Sequence, residues 1–137
     1  MANNFVHANL SARANPFGIM TLKGVQFMGA IESYSGCFIK FQSRLYAIRA
    51  MFSLMRYWQR SRGSMTVKSM VEQIYWFDDS VRGSFLIELS FRYGLDPNEP
   101  LDYHSDLARM IVKALAKYVS RYDLKDEDIQ AAQHMIL

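Results

Sequence analysis

The chain has 137 residues, half of them apolar, and a formal net charge of +3 at pH 7, which suits one domain with one core. No run of about 18 apolar residues occurs, and the N-terminal "MANNFVHANL" lacks the basic segment and long apolar core of a secretory signal, so a soluble chain with no membrane span is expected. The single cysteine, Cys37, excludes an internal disulfide and a cysteine pair for zinc, and its expected place is core packing.

The net charge hides a division. Residues 1–62 hold eight Lys or Arg against one acid, Glu32, giving +7, whereas residues 63–137 hold eight Lys or Arg against twelve acids, giving −4. Such asymmetry points to an oriented partner surface: nucleic acid, an anionic glycan or an acidic neighbouring subunit.

In chain order, residues 1–14 are polar and small and read as an N-terminal arm, with a single globular domain over 15–137. The stretch "RANPFGI" places Asn15-Pro16 two residues before Gly18, a rigid turn in which Pro presets φ and Gly accepts the left-handed region. The apolar runs "LKGVQFMGAI" and "GCFIKF" flank "ESYSG" and predict a β-hairpin near residues 22–41 with its turn at Glu32–Gly36. Alternation groups Val25 with Phe27, and either Phe38 with Lys40 or Cys37 with Ile39 and Phe41. The register stays open.

From Ser43 the period changes to helical. "SRLYAIRAMFSLMRYWQRSRG" runs from a candidate N-cap at Ser43 to a stop at Gly63. Leu45, Ile48, Phe52 and Met55, widened by Ala47, Met51, Leu54 and Trp58, make a central core helix. Thr66 caps a predicted "VKSMVEQIYW" helix, and Asp78 or Asp79 caps "SVRGSFLIELSFRYG", with Phe85, Leu86, Leu89 and Tyr93 inward and Gly94 ending it. A turn-rich "LDPNEPLDYHS" leads to Ser105, the cap of a helix repeating Leu107, Met110, Ile111, Ala114, Leu115 and Tyr118. A short last helix opens on Asp126, Glu127 and Asp128, where acids favour the N-terminus. The fold class is therefore α+β and mainly α-helical: a small N-terminal hairpin, then about five helices.

Residues that carry chemistry are sparse. His7, His104 and His134 are far apart in sequence and none has a ligand at metal spacing, so neither metal nor cofactor is expected. Phosphate-binding and dinucleotide-binding glycine patterns are missing. Glycan cleavage needs two carboxyl groups in different protonation states. Glu32 is one candidate, while Asp78, Asp79 and Glu88 qualify as partners by type only, and helix capping explains the two aspartates more simply. Arg49, Arg56 and Arg60 fall within roughly 40° of one another on a helical projection, beside Tyr46 and Tyr57. They form a basic, aromatic-flanked candidate binding stripe, set against the simpler reading of a solvated edge whose arginines pair with the acidic second half.

In this order "RANPFGI", "GAIESYSGCFIKF", "LYAIRA", "YWQRSRG", "MTVKSMVEQIYW", "FRYGLDPNEPLDY" and "IVKALAKYV" resemble a family of phage virion structural proteins. That family's pattern runs Arg-Asn-Asn-Asn-Pro-Gly-Asn-Ile, a Gly-rich hairpin ending in Phe, a Tyr-Gly-Ile-Arg-Ala helix, a Tyr-Gln-Arg-Arg-x-Gly end and a Thr-initiated helix. The similarity spans roughly residues 11–122 and implies a distantly lysozyme-like fold, with other virion proteins as partners and the virion, or the host cytoplasm before assembly, as the location. The chain departs where the family has Trp-Ala-Pro followed by Glu-Asn-x-Thr, and again where it has Glu-Asn-Gly: here stand "YWFDDSVRGS" and "KYVSRYD". Both family glutamates are missing, which favours a non-enzymatic virion component that makes assembly contacts. The alternatives are a virion-associated, muramidase-like peptidoglycan hydrolase using Glu32 with Asp78 or Asp79, and a nucleic-acid-binding or host-inhibitory phage protein using the arginine stripe.

Overall fold

The computed structural model describes residues 14–31 and 38–136. The arm up to Arg13, the turn at Glu32–Gly36 and Cys37 lie outside the described residues. Within them, β1 (Ala30–Ile31) pairs antiparallel with β2 (Lys40–Phe41) in the register Ala30 to Phe41 and Ile31 to Lys40. Five helices follow: α1 (Arg44–Arg62), α2 (Val67–Glu72), α3 (Asp79–Tyr93), α4 (Asp106–Ser120) and α5 (Asp126–His134). The molecule is α+β and mainly helical, as its periodicity predicts.

The hairpin is shorter than expected. Beyond the two-residue strands only an isolated bridge joins Met20 to Phe38, because Gly24 and Gly29 take left-handed φ values of +81° and +77° and fold residues 22–29 into turns. Val25 is consequently exposed while Phe27 is buried, so the two do not share a face. On the second strand Ile39 and Phe41 point inward and Lys40 outward, which settles the alternation in favour of that pair.

The opening turn is fixed from inside the protein. Asn15 is buried; its amide donates to the carbonyls of Ile19 (3.0 Å) and Ile39 (2.8 Å), and its Oδ1 accepts from the Ile19 N–H at 3.1 Å. Phe17 and Ile19 are thereby delivered into the core with no exposure.

Helix α1 is central, burying Ile48, Met51, Phe52, Met55 and Trp58 and the small Ala47 and Ala50, and its closest helical neighbour is α5. Each large side chain fully buried in this way contributes about 1.5–3 kcal/mol. Gly63, at φ +80°, ends the helix. Ser43 occupies the N-cap position without making a side-chain bond.

Thr66 and Ser69 form a reciprocal capping box at α2. The first backbone donors of that helix, Val67 and Lys68, bond to Glu99 and Pro97 in the connector (3.0 and 2.8 Å), which satisfies groups every helix start leaves open. Helix α2 stops at Glu72, short of the predicted Trp76, because the side chains that follow are claimed by the opening segment. Tyr75 Oη donates to the Met20 carbonyl at 2.7 Å and Trp76 Nε1 to the Phe17 carbonyl at 2.9 Å. A run of ring contacts continues from Tyr75 through Trp76, Phe77 and Phe85 to Tyr118, joining the opening turn, α3 and α4.

Candidate interaction surfaces

The carboxylates proposed for catalysis do not assemble among the described residues. Glu32 lies outside them. Asp78 is the N-cap of α3: its Oδ1 accepts from the Val81 N–H at 2.9 Å and the Ser80 hydroxyl at 3.0 Å. The Val81 bond, followed by the Ser80 bond, holds its carboxyl below the usual aspartate range. A general acid for glycoside cleavage needs the opposite shift. Asp79, fully exposed, is ion-paired with Arg82 at 2.8 Å, and Glu88 pairs with Arg92 at 2.7 Å. The capping reading thus accounts for Asp78, and Asp79 belongs to the helix's first turn.

The arginine stripe divides. Arg56 is half-buried, and its guanidinium donates to the Ile136 carbonyl at 2.9 Å, tying the chain's last turn to α1. Arg49 is half-buried and Arg60 exposed. Of the flanking tyrosines, Tyr46 packs over Gly29, while Tyr57 is 68 % exposed and lies one turn from Arg60 on the same side of α1. None of the three arginines joins an ion pair among the described residues. The ion pairs Asp79–Arg82, Glu88–Arg92, Asp106–Arg109, Lys113–Asp126 and Lys117–Asp123 all lie in the acidic half. Internal pairing of the stripe with that half, the simpler expectation, is not what the described residues do: the one arginine with an internal partner bonds a carbonyl.

Two features were missed in sequence. On α3, Phe85 and Leu89 face the core, but Ile87 and Phe91 stand on the outer side, 58 % and 87 % exposed. Their four-residue spacing, with Ile87 about 160° and Phe91 about 120° away from Phe85 on the projection, is the signal that would have found them. Met110, predicted inward, is also exposed. It borders an open groove of about 430 Å³ between α4 and α5, crossed by the Lys113–Asp126 ion pair at 2.8 Å. The second feature is the approach of His104 and His134, whose ring centres lie 6.3 Å apart.

No group of three or more metal-ligating side chains forms among the described residues, and no described helix is long and apolar enough to cross a membrane. Neither known family models nor curated proteins give a match to the chain.

Proposed function

We propose that the chain is a non-enzymatic structural or accessory component of a phage virion, acting through assembly contacts with an acidic surface of another particle protein. The observation that carries this reading is the open end of α1. There Arg60 is exposed beside Tyr57, while Asp79, Glu88, Asp106, Asp123 and Asp126 of the second half pair with cations of their own half. An uncompensated basic patch next to an exposed tyrosine suits an interface in which charge steers and the ring supplies contact area. The outward Ile87 and Phe91 of α3 give a second contact of apolar character. The sequence resemblance to virion structural proteins supplies the setting, and the helix-bound roles of Asp78 and Asp79 favour this reading over glycan cleavage.

Mass spectrometry of purified particles of the encoding phage tests the reading. The chain is expected among the particle proteins, and zymography on purified cell wall is expected to show no clearing. Absence from particles overturns the virion assignment. A clearing zone that disappears in Glu32→Gln transfers the function to the hydrolase.

A further inference from the structure

We propose that His104 and His134 form a two-donor surface site for a divalent transition-metal ion of the zinc class. The two residues belong to different elements: His104 sits in the turn before α4 and His134 is the last residue of α5. Their rings are 26° from parallel, with centres 6.3 Å apart, and both residues are exposed.

The backbone beneath them is fixed by a buried polar bridge. Gln133, adjacent to His134 and with no exposure, donates through Nε2 to the carbonyls of Tyr103 (3.2 Å) and Ser105 (3.1 Å), the residues on either side of His104. Its Oε1 accepts from Arg109 at 2.6 Å. The turn is held from two further sides: the Tyr103 N–H bonds Gln59 Oε1 at 2.8 Å, and the His104 N–H bonds Asp102 Oδ1 at 2.9 Å. The backbone that carries both imidazoles is therefore clamped, the preorganisation that lowers the entropic cost of chelation.

Two imidazoles on one tetrahedral ion, with metal–nitrogen bonds of about 2.0–2.1 Å, have ring centres roughly 5 Å apart. Side-chain rotation covers the remaining ångström or so. Neutral imidazole suits zinc and nickel ions, with water completing the shell. The Asp106 carboxylate offsets the positive charge of Arg109, and the Asp102 carboxylate lies at the His104 N–H.

The test is calorimetric titration of the full chain with zinc chloride alone at pH 7.5, repeated with H104Q, H134Q, H7Q and C37S. The native chain is expected to bind one ion with a rise in Tm that a chelator reverses. H104Q and H134Q should each weaken binding at least tenfold with unchanged circular dichroism, while H7Q and C37S bind as the native chain does. Failure of the native chain to bind overturns the proposal, as does native affinity in either H104Q or H134Q.

Discussion

Asn15 and Ile39 are joined by a 2.8 Å hydrogen bond from the Asn15 amide to the Ile39 carbonyl, across a sequence gap that includes the first strand of the hairpin and ends just before the second. That bond, with the two to Ile19, explains why the backbone is fixed so firmly at the start of the domain. Pro16 and the left-handed Gly18 shape the turn, but a buried amide locks it to the second strand and sends Phe17 and Ile19 into the core.

Replacing Asn15 by Ala is expected to cost about 2–3 kcal/mol, because three backbone groups lose a buried partner and water does not reach them easily. Urea denaturation measures it. Asn15→Asp should be at least as damaging at neutral pH, since a carboxylate would face the carbonyls of Ile19 and Ile39. Protonation restores one donor, so this variant should recover stability as pH falls. An Asn15→Asp protein as stable as the native chain at pH 7 would contradict the buried geometry.

A Cβ at Gly29 would sit 2.6 Å from the Tyr46 Cβ and nearer still to its ring, at a residue whose φ is +77°. Gly24 has φ +81° but open space around it. Gly24→Ala should therefore lose about 1–2 kcal/mol, the conformational cost alone, and Gly29→Ala clearly more, since the base of a packed side chain must move. Equal losses would mean that the Tyr46 contact gives way freely.

Much of the helical order was legible in sequence because its punctuation is local. The side chains of Thr66, Asp78 and Ser105 each accept a bond from the backbone three residues on, and Gly63 and Gly94 end their helices at positive φ. What was hidden depends on partners distant in the chain. The apolar run through Val25 reads as a strand, yet two left-handed glycines fold it into turns. Helix α2 ends early because Tyr75 and Trp76 find their acceptors in residues 17–20. For the candidate surfaces, periodicity groups Arg49, Arg56 and Arg60 on one stripe, but no pattern reveals that Arg56 binds the carbonyl of Ile136.

Two titrations have opposite signs. Burial pushes the Tyr75 hydroxyl from 10.0 up to about 12, so the folded state holds that proton more tightly. Its contribution is complete below pH 10 and is lost as pH rises toward 12. Absorbance of the tyrosinates should show one group titrating late, and Tyr75→Phe should remove that step. Asp78 is shifted the other way, by its bonds from Val81 and Ser80. Its contribution is present above the ordinary value of 3.8 and fades as pH falls through the lowered one. The Tm difference between the native chain and Asp78→Ala should accordingly shrink in strong acid. A difference that stays constant would show that the cap bonds do not depend on the charge.

The division within the arginine stripe separates folding from assembly. Arg56 spans α1 and the end of the chain through a bond to Ile136, so Arg56→Gln should destabilise the protein by about 1–2 kcal/mol, as expected when a charged donor leaves a part-buried carbonyl. Arg60 and Tyr57 are exposed, and substitutions at such sites ordinarily stay within about 0.5 kcal/mol. Arg60→Glu with Tyr57→Ser should therefore melt like the native chain and yet enter particles more slowly in a competition between tagged native and variant copies. Added salt should slow the native chain toward the variant's rate, because it screens the attraction that the reversed charge removes. If Arg60→Glu with Tyr57→Ser instead enters particles at the native rate, the open end of α1 is an ordinary solvated face, and the contact must be sought at Ile87 and Phe91, where Phe91→Ser provides the same separation of stability from assembly.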